Sequence, residues 1–241
     1  MLSGYARKEW LTILAIGIVL SAAAGLLWWP LALLGVAATL ALLSFFRDPY
    51  RRPPTQRGVV VAPADGRISS IHELEHHDAL GGPATCIRIF LSVLDVHVNR
   101  SPLHGEVASI DHKPGQYLNA LNPESAEVNA STTMVLVHPI RRYPVAVVRQ
   151  VAGMLARTIV CAATPGKVLQ RGQKYGIIKL GSTTELYLPT ELVERVAVQQ
   201  GQKVKAGLTV LAAMTGKASN TAEGVASPDQ PATKPEATPA E

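Results

Sequence analysis

A mostly antiparallel β domain of α+β class, barrel-sandwich-like and carried behind an N-terminal membrane helical hairpin, is the architecture this 241-residue sequence predicts. Three observations predict it. The segment Leu11 to Phe46 contains no charged residue. From Gly58 to about Thr215 the chain is a series of short β-branched runs punctuated by Gly, Pro, Asn and Asp, the pattern of strands and turns. A weak internal echo, Gly-Gln-Lys followed by a glycine-bearing apolar strand, occurs at Arg171–Ser182 and again at Gln200–Met214, which predicts two similar hairpins packed as pseudo-symmetric halves.

The apolar segment is too long for one ordinary span of about 20 residues, and Pro30 after Trp28-Trp29 divides it into two runs of roughly 17 to 18. Two short helices joined at that turn bring both outer ends to one side. Arg7 and Lys8 precede the first run and Arg47, Arg51, Arg52 and Arg57 follow the second, which places the remainder on the cytoplasmic face of an inner or plasma membrane. "SAAAG" offers a small-residue cleavage site, but the apolar run continues through it to Phe46, which argues against a removed signal peptide. Residues 1–46 are therefore read as a membrane anchor. Residues 47–57, "RDPYRRPPTQR", form a basic linker able to lie along an anionic leaflet.

Residues 58–217 form the β domain, with runs at VVVAP, RISSIHEL, TCIRIFLSV, EVASID, TTMVLVHPI, PVAVVRQVAG, RTIVCAA, YGIIKLG, ELYLP and TVLAAM. "GQYLNAL" and "MLAR" are single-turn helix candidates. Residues 218–241 are Ala, Thr, Pro, Ser and acid, with little to bury, and are expected to be disordered. The net charge of +5 is scattered rather than arranged in a stripe with interleaved aromatics, so no nucleic-acid partner is implied. Cys86 and Cys161 sit in apolar runs without metal-ligand spacing, as reduced thiols would, and no metal is expected.

One stretch interrupts its strand. In "YGIIKLGSTTELYLP", Gly181-Ser182-Thr183-Thr184 puts three hydroxyls behind a residue that weakens strands. The G-x-S-x-G elbow of hydrolases is absent. A different use of Ser182 fits the neighbours: attack of its hydroxyl on the carbonyl of Gly181, an open residue, with Thr183 and Thr184 as oxyanion donors. Such a step needs a base. His97, in "FLSVLDVHVNRSP", has apolar neighbours Val96 and Val98, whereas the other six histidines lie in polar runs or beside turns. Asp65, in the turn "PADG" at the end of an apolar strand, completes an orienting acid, base and nucleophile set, although a turn aspartate is about as common as a functional one.

"APADGRI", "FLSVLDVHVNRSPLHGEV", "HKPGQYLNAL", "VRQVAGMLARTIV" and "RGQKYGIIKLGSTTELYLP" resemble, in order and spacing, the phosphatidylserine decarboxylase family in its short, membrane-anchored form. The resemblance covers roughly Phe46 to Met214; the apolar front fits it loosely and the tail not at all. It implies a proenzyme that cleaves itself at Gly181-Ser182 into a long chain, 1–181, and a short chain, 182–241, which stay together as a heterodimer. It further implies that Ser182 becomes a pyruvoyl group, a self-made cofactor that forms a Schiff base with the substrate amine and withdraws electrons as carbon dioxide leaves. By the same resemblance the product is phosphatidylethanolamine, His97 serves as proton donor and as self-cleavage base oriented by Asp65, and Asn99 and Arg100 meet the lipid phosphate. Two positions depart from the pattern. Arg100 stands where longer members carry a second histidine, and Thr158 where a second arginine is expected.

Two alternatives stay open at this level: a non-enzymatic, membrane-tethered barrel-sandwich scaffold, and the same chemistry on another serine-headed lipid. Homo-oligomerisation is left open as well.

Overall fold

The computed structural model describes residues 1–119, 125–154, 158–179 and 182–215. Gly181, most of "MLAR" and the 218–241 tail lie outside the described residues.

Two helices open the chain, α1 (Arg7–Leu27) and α2 (Trp29–Ser44), with Trp28 extended between them and Pro30 in the first turn of α2. Proline is tolerated there because its missing N–H would have had no intrahelical partner. Small residues let the helices approach closely, Gly17 facing Thr39 and Gly35 facing Ser21. The Gly4–Leu27 segment is long and apolar enough to cross a membrane, and its side chains are nearly all uncovered by protein. Both outer ends are tied together, since Ser3 N donates to Phe46 O (2.8 Å) and Asp48 N to Met1 O (2.8 Å).

Fourteen strands follow among the described residues: β1 (Val59–Val61), β2 (Gly66–His77), β3 (Gly82–Leu91), β4 (Val98–Arg100), β5 (Gly105–Lys113), β6 (Ser131–Val137), β7 (Pro144–Val151), β8 (Ile159–Cys161), β9 (Val168–Leu169), β10 (Lys174–Ile178), β11 (Ser182–Pro189), β12 (Val193–Val196), β13 (Lys203–Val204) and β14 (Val210–Met214). A one-turn helix, α3 (Ser125–Val128), precedes β6. The main sheet has eight strands in the order β13-β2-β3-β11-β7-β6-β5-β9, and two three-stranded sheets, β1-β14-β12 and β4-β10-β8, flank it. All ladders between these strands are antiparallel, as the β-branched runs and short turns predict. Apolar side chains from all three sheets, among them Ile68, Ile87, Ile89, Leu136, Val148, Leu186 and Leu211, form one core.

The internal echo is real at the level of the turn. Gln173 N bonds Gln170 O and its side chain accepts from Gln170 N, and Gln202 repeats both bonds with Gln199. Gly172 and Gly201 take the positive φ these turns require, 76° and 85°.

Three details differ from the sequence reading. "GQYLNAL" is not helical in its described part; Gln116 instead forms an isolated bridge with Asn129. The run from Tyr175 to Pro189 is two strands in two different sheets, β10 between β4 and β8 and β11 between β3 and β7. The linker, read as able to lie along an anionic leaflet, is drawn onto the domain: Arg51 is buried against Asp65, Asp48 against Arg100 and Lys174, and the Pro54 carbonyl accepts from Arg171 (2.7 Å).

Candidate active site

Ser182 is the first residue of β11 and pairs with Leu91, the last residue of β3. From Leu91 the chain turns through Ser92–Asp95 to His97, whose carbonyl accepts from Ile178 N (3.3 Å) at the end of β10. The two passages, 91 to 97 and 178 to 182, therefore bracket one corner where the chain changes sheets, and they bring His97 and Ser182 there from 85 residues apart in sequence.

Ser182 is fully buried and its Oγ has no hydrogen-bond partner among the described residues. The Thr183 hydroxyl is in the same condition, whereas Thr184 Oγ1 accepts from Asn99 Nδ2 (3.3 Å). A buried hydroxyl normally recovers the cost of desolvation through a bond. Among the described residues, nothing engages the lone pairs of this serine at the sheet junction.

His97 is fully buried, with its ring 4.2 Å from that of Phe45 at a tilt of 40°. Nδ1 lies 2.9 Å from the Asp95 carbonyl oxygen. A carbonyl can only accept, so Nδ1 carries the proton and Nε2 is the basic nitrogen. Burial pushes the imidazole pKa down to about 4, only partly opposed by the Asp95 carbonyl and carboxylate. At neutral pH the ring is uncharged and able to accept a proton.

The Asp65 charge favours the protonated form of His97, as the sequence reading expects of an orienting acid, and the carboxylate has further partners of its own. It takes both guanidinium nitrogens of Arg51, Oδ2 at 2.7 Å, and the amide of Ala206 at 2.7 Å. The Asp95 backbone carbonyl holds Nδ1 of the ring, and Asp65 also fixes the linker and the β13–β14 turn. Asn99 and Arg100 are also turned inward. Asn99 Oδ1 accepts from Gln150 Nε2 (2.8 Å). Arg100 donates to the carbonyls of Gly172 (3.1 Å) and Pro49 (2.9 Å) and pairs with Asp48. Meeting a lipid phosphate would require these bonds to be exchanged.

A second polar cluster, on the other face of β11, was not visible in the sequence. Glu185 is buried between Arg88 (3.5 Å) and Arg149 (3.2 Å) and accepts from the Tyr187 hydroxyl (2.7 Å). Its three partners stand on β3, β7 and β11, and only sheet order reveals that they meet. Cys86 lies beside it with its pKa pushed up to about 12, chiefly by burial, so it is no nucleophile.

Residues 39–212 match the family described as phosphatidylserine decarboxylase. The chain belongs to the phosphatidylserine decarboxylase family. Relatives named phosphatidylserine decarboxylase proenzyme include one from Rhodopirellula baltica, 42% identical over 85% of this chain and 84% of its own length. One from Carboxydothermus hydrogenoformans is 38% identical over 87% and 96%, and one from Symbiobacterium thermophilum is 40% identical over 86% and 94%. The relatives' name, proenzyme, denotes a chain still to be processed.

Proposed function

We propose that the chain is a proenzyme that cuts itself between Gly181 and Ser182 and then decarboxylates phosphatidylserine to phosphatidylethanolamine at a membrane surface. The observation that carries this reading is the buried Ser182 hydroxyl, without a hydrogen-bond partner among the described residues, at the corner that also holds a neutral His97.

In self-cleavage, Ser182 Oγ attacks the carbonyl carbon of residue 181 as its proton passes to His97 Nε2. The C–N bond then breaks, leaving an ester in place of the amide. Loss of the Ser182 Cα proton expels the carboxylate of the long chain and leaves a dehydroalanine, which tautomerises and hydrolyses with release of ammonia to a pyruvoyl group. Only a residue with an oxygen on Cβ can follow this path. The pyruvoyl group supplies a ketone that accepts electron density as the α-carboxylate of the serine headgroup departs as carbon dioxide.

For this chain's own residues the demands then reverse. His97, kept neutral by burial, suits the base role, and delivering a proton to the decarboxylated carbon requires it to take one up first. An entering substrate carboxylate provides the opposing charge that favours the protonated ring. After the cut, β11 to β14 belong to the short chain, yet β11 stays inserted between β3 and β7 of the long one. The hairpin ends are joined at Ser3 and Phe46, and the cations beside them, Arg7, Lys8 and Arg47, support a reading with the domain on the cytoplasmic face.

A denaturing gel of purified protein tests the reading: fragments of about 19 and 6 kDa from the 25.7 kDa chain are expected, and Ser182→Ala should give one uncut, inactive band. A single band from active wild-type protein, or carbon dioxide release by uncut Ser182→Ala, contradicts it; a single band without activity favours the scaffold alternative.

A further inference from the structure

The turn between β3 and β4 presents two apolar side chains where turns normally carry Gly, Asn, Asp or Ser. Val93 is 44% exposed and Leu94 80%. A lone exposed leucine means little; here three facts about its place give it meaning. The turn is rigid, because Asp95 Oδ2 accepts from both the amide (2.9 Å) and the hydroxyl (2.8 Å) of Ser92 and Asp95 N donates back to Ser92 O (3.0 Å). It is joined to the hairpin: one nitrogen of Arg47 donates to Ser44 O (3.0 Å) in the last turn of α2 and the other to Leu94 O. It lies at the sheet end where Ser182 begins, and His97 hangs from its Asp95 carbonyl.

We propose that Val93 and Leu94 are a membrane-dipping contact, inserted at the headgroup–acyl boundary of the leaflet that holds the hairpin. This rests on the reading of the hairpin as a membrane anchor. Arg47 spans from the last turn of a membrane helix to the turn itself, so the two stand within one arginine side chain of the same depth, and a guanidinium at that level suits an anionic surface. A second set of cations, Arg7 and Lys8, stands at the start of α1 on the same side. The contact sets the corner holding His97 and Ser182 against the lipid surface, so that a headgroup reaches the site without its acyl chains leaving the bilayer.

The test uses full-length protein in vesicles of phosphatidylethanolamine and phosphatidylglycerol containing a lipid with a nitroxide high on its acyl chain. All three tryptophans, Trp10, Trp28 and Trp29, lie in the hairpin, so their quenching reports its insertion. With Cys161→Ser and Cys86 buried, a nitrobenzoxadiazole label on Leu94→Cys reports the turn. The same label on Ile140→Cys, in the β6–β7 turn at the opposite end of the sheet and 77% exposed, is the control, roughly 25 Å away along the strands. Quenching of tryptophan and of label 94, but not of label 140, is expected. Quenched tryptophan with label 94 as dark to the nitroxide as label 140 overturns the proposal and leaves the anchor standing; unquenched tryptophan overturns both. As an independent readout, Leu94→Asp should raise KM for vesicle-borne phosphatidylserine roughly tenfold while sparing a short-chain, monomeric phosphatidylserine. Equal losses on the two substrates also overturn it.

Discussion

Burial is the largest influence on the chemistry of His97. Phe45 seals the ring, and burial holds its pKa near 4 instead of 6.5. Between those values the unfolded chain binds a proton that the folded chain refuses, so folding stability falls as pH drops from about 6.5 towards 4 and is unaffected by this group above that window, at a cost of roughly 3 kcal/mol when complete. Denaturant midpoints at pH 7 and pH 5 measure it, and His97→Gln should lessen the dependence. The same logic predicts the self-cleavage profile. Since the base is neutral down to about pH 4, the rate should stay level across mildly acidic pH. Phe45→Leu, which opens the ring to water while keeping an apolar side chain, should raise the pKa and move the acid limb upward. An unmoved limb with a merely lower rate would show that Phe45 has only a packing role. Of the residues in this corner, Ser182 and His97 were legible in the sequence because their neighbours are unusual. Phe45 was hidden at the end of a membrane run, and the Asp95 carbonyl was hidden because a backbone acceptor has no residue signature. Asp65 was legible as a turn residue beside an apolar strand, but its partner Arg51 lies in a linker whose basic residues pointed to an anionic leaflet rather than to a buried carboxylate.

Among the elements, β11 carries both the chemistry and the cohesion. Its eight residues pair with β3 along their whole length and with β7 over five, so a cut before its first residue removes no ladder hydrogen bond within the sheet. The two chains are therefore expected to co-elute in native size exclusion and to separate only in denaturant; release of the short chain under native conditions would contradict this register. Long strands such as β2, β3 and β7 were legible from their alternating β-branched residues. Shorter ones, β4, β9, β12 and β13, were not, because two to four residues carry no periodicity and their pairing is fixed by distant partners. The switch of sheets between β10 and β11 was read as an interruption of a single strand, since sequence records the break but not the direction taken after it.

Across the whole molecule, hairpin and domain act as one device. Phe45 and Phe46 pack with Val96, Val98 and Ile177, while Tyr5, Trp10 and Ile13 of the N-terminal segment close the same cluster. Lys179, three residues before Ser182, pairs with Glu9 of α1. The hairpin thus forms one wall of the corner where the proposed cut falls. Deleting residues 1–46 should therefore impair self-cleavage in detergent, where membrane localisation is irrelevant, as followed by the appearance of the short chain; normal processing of the truncated protein would show that the hairpin only tethers. Composition revealed the hairpin and the domain separately, but their docking depends on apolar side chains that membrane and core would accept equally well.

The central claim is that Ser182 becomes the electrophile of the active enzyme. Intact mass spectrometry of active protein, before and after borohydride reduction, tests it most directly. A short chain that begins at position 182, lighter than its serine form by one ammonia and heavier by two hydrogens after reduction, is the expected result. An active chain of unbroken 241-residue mass, unchanged by the reductant, would contradict it.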